Sequence, residues 1–261
     1  MLTLKEEDYE KMPGHWVLAS VGKTVLRPGG IELTKQMVAN LQITANDHVV
    51  EFAPGLGITA RLALSRTPRS YIGIEQDPEA AKRVSAYLDG VRQTCVVASA
   101  ENTGLKDESA TVVYGEAMLT MHSEKIKNTI VSEAHRILKP GGKYAIHEMN
   151  LLPDQISVES KAQIQKELST VIRVNARPLT ITEWQQLLEH NGFAVLKTGT
   201  APMHLLNVRR LINDEGLKGS MKMALNMIRK PKARTRVLRM KSTFKKYEDF
   251  LGAVSIIAQK K

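Results

Sequence analysis

The sequence lacks three features that would each have placed it in a particular class of protein. It has one cysteine, Cys95, which excludes a disulfide framework and, within an apolar run, indicates a buried, inert thiol in a reducing compartment. No apolar run approaches the roughly 20 residues that span a bilayer, and the acidic, polar N-terminus is unlike a signal peptide. The seven histidines are scattered without the spacing of metal ligands. We therefore expect a cytoplasmic protein with no metal site.

Positive charge is in excess, but it is concentrated in one segment. The formal net charge is +10 over 261 residues, and residues 204–250 contain 13 Lys and Arg against 4 Asp and Glu. Residues 1–203 are close to neutral. A partner attracted by charge is therefore expected to meet the basic segment.

Short β-branched runs alternate with amphipathic stretches through the middle of the chain, which is typical of βαβ units around a parallel sheet. Seven strands are predicted, at 48–53, 71–75, 94–98, 110–114, 143–148, 193–196 and 253–258. Helices are predicted at 59–66, 78–88 and 124–138, and a further one around Trp184 that Thr180 or Thr182 caps. The pattern therefore predicts an α/β fold.

The last two predicted strands are separated by the basic segment, which has apolar residues at helical spacing. One set is Met221, Ala224, Leu225 and Ile228, and the other is Val237, Met240, Phe244 and Tyr247. An insertion of this length is more often functional than accidental. We expect it to cover the sheet as a cap, together with the N-terminal helix and residues 151–179. The predicted organisation is an N-terminal helical segment at 1–30, a core at 31–203, the cap insertion at 204–250 and a last core strand at 251–261.

A turn of small residues follows the first predicted strand. Residues 53–57 read Ala-Pro-Gly-Leu-Gly, and small residues before a helix let the backbone approach a ligand and offer it free N–H groups. Glu75 closes the second strand, where a carboxylate can accept both hydroxyls of a ribose. The two features indicate an adenosine-type ligand. A nicotinamide-binding domain is the less favoured alternative, because the third glycine of its motif is missing after Gly57.

Four segments carry a more specific pattern: VVEFAPGLG at 49–57, GIEQD at 73–77, ASAEN at 98–102 and RILKPGG at 136–142. In order and spacing they resemble the class I S-adenosylmethionine-dependent methyltransferases, especially the small-molecule branch with the ubiquinone/menaquinone and phosphoethanolamine methyltransferases. The resemblance covers about residues 28–200. It implies a Rossmann-like, seven-stranded, mostly parallel sheet with an antiparallel last strand and a helical cap. It also implies S-adenosylmethionine as cofactor and S-adenosylhomocysteine as product.

The resemblance also implies roles for individual residues. Glu51 would hold the methionine end of the cofactor, Glu75 would bind its ribose and Gln76 would flank its adenine. The other implied contacts are the backbone of Ala53, Gly55 and Gly57, the adenine-bordering Ala100 and Glu101, and the proline-glycine-glycine turn with Gly29 and Gly30. Two positions depart from the family pattern. Ala53 replaces a glycine, which fits if its φ is negative, and Ser99 stands where an aspartate is common.

Methyl transfer from a sulfonium is an in-line displacement, so holding the acceptor in place is the protein's main task. A base is needed only if the acceptor loses a proton. Glu116, which follows the fourth strand, is expected beside the methyl donor and is our first catalytic candidate. His147 or Glu148, at the end of the fifth strand, is a candidate base. Glu116 as a helix cap and His147 as a structural histidine are the alternatives, and for His147 the structural role is favoured.

The acceptor is expected to be a small molecule, with a lipophilic one among the alternatives. Tyr9, His15 and Trp16 are candidates for lining its pocket, with Trp16 as a core residue the alternative, whereas His122 is expected at the surface. The basic segment has three interpretations: a solvated outer face, which is favoured, contact with an anionic membrane, or binding of RNA. RNA is least favoured, because only Phe244 and Tyr247 interleave aromatic rings with the charges. A cofactor-binding subunit without catalysis remains a further alternative, and the sequence does not indicate the oligomeric state.

Overall fold

The protein is described from a computed structural model, which covers residues 9–261. The acidic segment 1–8, on which the expectation about a signal peptide rests, and the beginning of the predicted N-terminal segment lie outside these residues. None of the helices between residues 9 and 261 is long and apolar enough to cross a bilayer.

A single mixed sheet forms the centre of the molecule. Its strands are β1 (His48–Phe52), β2 (Ser70–Glu75), β3 (Gln93–Val97), β4 (Ala110–Glu116), β5 (Leu138–Leu151), β6 (Leu179–Thr180), β7 (Phe193–Pro202) and β8 (Leu251–Lys260). The order is β3-β2-β1-β4-β5-β8-β7, and the short β6 pairs with β5 beside this path. β1 to β5 run parallel, whereas β8 runs antiparallel to both β5 and β7. The predicted α/β fold, a mostly parallel sheet with an antiparallel last strand, is confirmed.

The helices between the strands cover both faces of the sheet. They are α1 (Gly14–Ser20), α2 (Gly30–Leu41), α3 (Ile58–Leu64), α4 (Pro78–Ser85), α5 (Glu124–Ile137), α6 (Val158–Ile172), α7 (Ile181–His190), α8 (Val208–Arg229) and α9 (Pro231–Lys246). Helices α5 and α7 pack on one face and helices α2 and α3 on the other. Because both faces are covered, the central strands β1 and β4 are buried along almost their whole length.

Local signals in the sequence explain where several helices begin. Asp77 accepts hydrogen bonds from the N–H groups of Glu79 and Ala80, and a proline occupies the first turn of α4. Thr180 and Glu183 form a capping box at the start of α7, which settles the choice between Thr180 and Thr182.

The expected burial of Cys95 is wrong. The side chain is half-buried, because β3 is the edge strand and has one neighbour in the sheet. Burial, with the carboxylates of Glu75 and Glu51, nevertheless raises the pKa of the thiol to about 11. Cys95 therefore stays protonated and unreactive at neutral pH.

Helices α1, α6, α8 and α9 pack together beside the C-terminal end of β5, and we call them the cap. The two apolar sets predicted in the basic segment differ in their environment. Val237, Met240, Phe244 and Tyr247 are buried in the cap, whereas Met221, Ala224, Leu225 and Ile228 are exposed. On α8 the buried residue is Met223, so this helix presents a different side to the core than its apolar spacing indicates. Non-helical backbone at Gly216, with a φ of 69°, divides α8 into two parts.

Candidate active site

A cavity of about 500 Å³ lies at the C-terminal ends of β1, β2 and β4 and extends under the cap. The predicted cofactor residues that line it are Glu51, Ala53, Gly55, Glu75, Gln76, Ala100, Glu101 and Glu116. Gly29, Gly30 and Gly57 lie outside its lining, as do His147 and Glu148. The cavity thus brings together carboxylates from three parallel strands, since their C-terminal ends meet at one edge of the sheet.

Glu51 is a buried carboxylate that forms no ion pair with a cation of residues 9–261. Its Oε2 accepts hydrogen bonds from the hydroxyls of Tyr71, at 2.6 Å, and Tyr114, at 2.8 Å. Both rings reach it because Tyr114 is directly opposite Glu51 in the sheet and Tyr71 is opposite Val49, two residues earlier. Burial raises the pKa of Glu51 to about 7, although the two hydroxyls oppose this shift. Since both hydroxyls bind Oε2, the other carboxylate oxygen can serve a ligand.

The turn after β1 is built from residues with left-handed backbone. Ala53, Gly55 and Gly57 have φ values of 53°, 54° and 73°. A negative φ, the condition under which alanine would fit here, is therefore not met, because the chain turns sharply while the Ala53 N–H donates to the Ile74 carbonyl of the next strand at 2.8 Å. At Gly57, a Cβ would overlap the Tyr87 hydroxyl, and the φ of 73° would strain any residue with a side chain.

Glu75 links this turn to the one after β2. Its Oε2 accepts from the Gly55 N–H at 2.9 Å, and its Oε1 accepts from the Asp77 N–H at 3.0 Å. The carboxylate thus fixes the backbone of both turns while it lines the cavity. Each oxygen has a second lone pair, which a ligand hydroxyl can use.

Glu116 lies on the same cavity, but it is surrounded by donors. It forms an ion pair with Arg27 and accepts hydrogen bonds from Thr59 and Thr34. Burial alone would raise the pKa of Glu116, but Arg27, His147 and Thr34 outweigh it and lower the pKa to about 2. The group is a carboxylate at neutral pH and a weak base.

His147 lies behind Glu116 and is fully buried. Its Nδ1 is 2.7 Å from Glu116 Oε1 and its Nε2 is 2.6 Å from the Pro28 carbonyl oxygen. The ring satisfies both oxygens only when both nitrogens carry hydrogen. It connects the end of β5 to the segment that contains Arg27.

Glu148 is also fully buried, and it binds the loop after β4. It accepts hydrogen bonds from the N–H groups of Met118, Leu119 and Thr120 and from the Thr120 hydroxyl. These bonds hold the start of a short 3₁₀ helix, Leu119–Met121. Because Met118, Thr120 and Met121 line the cavity, Glu148 shapes its wall from behind.

The part of the cavity under the cap is apolar. Its lining includes Trp16, Leu18, Leu26, Met121, Met149, Ile172, Val174, Leu205, Met240 and Phe244. Two histidines also reach it. Burial lowers the pKa of His15 to about 4 and also lowers the pKa of His122, so both are uncharged at neutral pH. His122 is half-buried rather than at the surface as expected, since it follows the loop that Glu148 holds.

Of the candidates for lining the acceptor pocket, Trp16 reaches the cavity and Tyr9 does not. Trp16 is half-buried and lines the cavity with His15, whereas Tyr9 is buried in the core of the cap.

Sequence reasoning missed the partners of the carboxylates: Arg27 was seen only as part of a turn, and Tyr71 and Tyr114 as strand residues. A tyrosine at the register position of a buried glutamate is the signal that could have identified the pair around Glu51.

Comparison with known proteins identifies relatives along the whole chain. The sequence matches the methyltransferase domain family over residues 50–146. An uncharacterized protein of Haemophilus influenzae is 32% identical over 252 residues, which are 95% of this chain and 98% of that protein. An uncharacterized methyltransferase of Synechocystis is 26% identical over 184 residues, which are 70% of this chain and 84% of that protein.

The fold also occurs in a solved structure of Haemonchus contortus. It is a phosphoethanolamine N-methyltransferase in complex with phosphomonomethylethanolamine and S-adenosylhomocysteine. The TM-score is 0.71 at 15% sequence identity, and the alignment covers 100% of this chain and 61% of that one. At this identity the likeness concerns the fold.

Proposed function

Because this chain belongs to the class I S-adenosylmethionine-dependent methyltransferases and transfers the methyl group of that cofactor, we propose that its acceptor is an uncharged, apolar small molecule. The acceptor binds in the part of the cavity under the cap. One observation carries this proposal: among the described residues, the side chains that the cap helices contribute to the cavity wall are apolar apart from the uncharged His15. They are Trp16, Leu18, Ile172, Met240 and Phe244.

The residues around the strand ends fit the cofactor. S-adenosylmethionine, when bound, supplies an electrophilic methyl group on a sulfonium. Glu51 is suited to bind the ammonium of the methionine end. Within residues 9–261 this buried carboxylate forms no ion pair, and the ammonium would supply the missing positive charge. Arg27 Nε is buried and has no acceptor within the described part of the chain, so it suits the carboxylate of the same end. Glu75 is placed for the ribose hydroxyls.

The cost of desolvation indicates which kind of acceptor fits the apolar part of the cavity. Transferring an ion from water into an apolar cavity costs several kcal/mol of free energy unless a partner compensates its charge. Arg27, a cation of the cavity wall, is already paired with Glu116, and His15, which the cap contributes, is uncharged. A neutral acceptor with an apolar body avoids this cost and gains from burial against the methionines of the wall.

Glu116 and His147, the catalytic candidates from the sequence, are proposed here as positioning residues. Glu116 holds the Arg27 segment against the strand ends, and His147 holds Glu116. If the acceptor loses a proton, His122 is the proposed base, because it is uncharged and lines the cavity.

The proposal is tested with a methyl-labelled cofactor and a cell extract divided into aqueous and organic fractions. We expect labelled product from the organic fraction. In a matched pair, Val174→Asp introduces a charge into the apolar wall and Val174→Leu keeps it apolar. The aspartate variant should lose at least about tenfold in kcat/KM, since an unpaired buried charge costs several kcal/mol, while both variants bind S-adenosylhomocysteine as the parent does. Label confined to charged aqueous metabolites, or an unaffected aspartate variant, would contradict an apolar acceptor.

A further inference from the structure

Helix α8 has a row of exposed apolar side chains along its outer side. They are Val208, Ile212, Leu217, Met221, Leu225 and Ile228, and each is between 42% and 68% exposed. After Gly216, Leu217, Met221, Leu225 and Ile228 are spaced by three or four residues, which places them along one side of that part of the helix. Val208 and Ile212 are four residues apart on the part before Gly216. We call this row the α8 face. A contiguous exposed row of this kind marks an interaction site more often than scattered single residues do.

The charges on α8 are sorted by sign. Its two carboxylates face inward: Asp214 lies 3.5 Å from the buried Lys23 Nζ, and Glu215 accepts from the N–H of Thr24 at 2.9 Å and from its hydroxyl at 2.6 Å. The exposed ionic residues of the helix are cations: Arg209, Lys218, Lys222 and Arg229. The outer side of α8 therefore combines apolar and positively charged residues.

Polar contacts on the inner side hold α8 in place without the α8 face. Asn226 donates to the Val21 carbonyl at 3.1 Å, and Lys230, just after the helix, donates to the Ser20 carbonyl at 2.7 Å. Met223 is buried among the cap residues. The exposed row is thus not required for packing, and its exposure keeps apolar area in contact with water.

We propose that the α8 face lies on an anionic lipid surface, with its apolar side chains in the acyl boundary and its cations at the headgroups. Leucine, methionine and isoleucine beside lysine and arginine are the composition of a helix that lies in a membrane interface. Charge complementarity selects this occupant over a second copy of the chain, which would bring the same positive charge. Single-stranded RNA is commonly bound by stacking its bases on aromatic rings, and the α8 face has none.

The α8 face is also connected with the cavity. A groove of about 480 Å³ is lined by Val208, His204, Lys241 and Lys245, and it shares Leu205 and Phe244 with the wall of the active-site cavity. Leu205 and Phe244 therefore lie between this groove and the acceptor side of the cavity. A route from bilayer to cavity rests on the proposed function, whereas lipid binding by α8 does not.

The test is sedimentation of the whole chain with vesicles, one set of phosphatidylcholine and the other of equal parts phosphatidylcholine and phosphatidylglycerol. We expect binding to the anionic vesicles that weakens with salt. Each lysine near such a surface contributes about fivefold in affinity, so Lys218→Glu with Lys222→Glu should reduce binding at least about twentyfold. Leu217→Gln with Met221→Gln should reduce it by about tenfold or more.

The matched controls are at the opposite edge of the sheet. Lys82→Glu with Arg83→Glu reverses two exposed charges on α4, which packs on β2 and β3, and Val91→Gln removes an exposed apolar side chain there. These variants should bind vesicles as the parent does. If the control variants lost as much vesicle binding as the α8 variants, the effect would not be specific to α8 and the proposal would be overturned. So would binding to RNA in place of vesicles, or self-association in solution that the glutamine variants abolish. Methyl transfer is not measured, so the outcome is independent of the proposed acceptor.

Discussion

Raising the pH from about 6 to about 8 should strengthen cofactor binding through Glu51. The pKa of this carboxyl in the ligand-free protein is about 7, so about a tenth of the molecules are ionised at the lower pH and about nine tenths at the higher. If the ammonium of the cofactor's methionine end binds only the ionised form, the affinity rises about tenfold, or about 1.4 kcal/mol. The nearby carboxylate of Glu116 does not contribute, because its pKa of about 2 keeps it ionised throughout.

Calorimetric titration with S-adenosylhomocysteine measures this dependence without methyl transfer. Binding near pH 6 should release a proton, which buffers of different ionisation enthalpy detect. In Glu51→Gln the affinity should be low and independent of pH. In Tyr71→Phe the rise should move to higher pH, because the hydroxyl that favours the charged form is gone. Equal affinity at both pH values in the parent protein, or a rise that persists in Glu51→Gln, would refute the reasoning.

The same carboxyl should make the ligand-free protein less stable as the pH rises. Its pKa is higher in the folded state, about 7, than the usual 4.5, so the folded protein holds the proton more tightly. The contribution of Glu51 to the free energy of unfolding is then most favourable below pH 4.5 and decreases as the pH rises through 7. At pH 7 this contribution is about 3 kcal/mol lower than at low pH. Glu51→Gln should therefore raise Tm at about pH 8 and have little effect at about pH 4. If the Tm of Glu51→Gln at about pH 8 were below that of the parent protein, the result would contradict this prediction.

Substitutions at three further positions, one of them combined with Arg27→Met, test other parts of the site. Glu116→Gln leaves the buried Arg27 without its counter-ion and should cost about 3 kcal/mol in chemical denaturation at neutral pH; adding Arg27→Met should restore much of this, and no recovery would argue against a coupled pair. The stability that Glu116 contributes is present above pH 4.5 and is lost as the pH falls towards 2. Glu75→Ala should weaken S-adenosylhomocysteine binding by about 1–3 kcal/mol, and unchanged affinity would place the ribose elsewhere. Ala53→Gly should raise the unfolding free energy by roughly 0.5–1 kcal/mol, because glycine adopts the left-handed backbone without strain; a decrease would contradict this.

Much of the sheet could be predicted from the sequence because its strands are buried on both faces. Such strands are continuous apolar runs between turn residues, and β1 and β2 begin or end within one residue of their predicted limits. Strand β6 was missed because two residues leave no periodicity and are held by pairing with β5. The helix predicted at 124–138 ends at Ile137, because Leu138 pairs with Ala110 of β4 and begins β5.

The orientation of α8 could not be predicted from spacing. Periodicity tells which residues share a side of a helix, but packing decides which side faces inward. Here the inward side is selected by Glu215, Asn226 and Lys230, which bond backbone groups about 190–210 residues earlier in the chain. Such distant bonds leave no local pattern in the sequence.

The carboxylates of the candidate site could be found in the sequence, whereas their ionisation could not. Glu51, Glu75 and Glu116 stand at or near strand ends, where parallel strands present ligand-binding groups. Their partners come from elsewhere: Arg27 precedes Glu116 by 89 residues, and Tyr114 follows Glu51 by 63. The sign of φ at Ala53 is likewise set by how the turn meets β2, which its neighbours in sequence do not determine.

Glu51 and Glu116 illustrate how the surroundings give the same side chain two tasks. Both are buried on one cavity, yet the pKa of one is about 7 and that of the other about 2. The difference lies in the partners, because neutral tyrosine hydroxyls stabilise the Glu51 carboxylate less than the Arg27 guanidinium stabilises that of Glu116. Glu116 is therefore already satisfied and can hold the wall of the cavity in place. Glu51 remains short of a positive charge, and it gains most from a ligand that brings one.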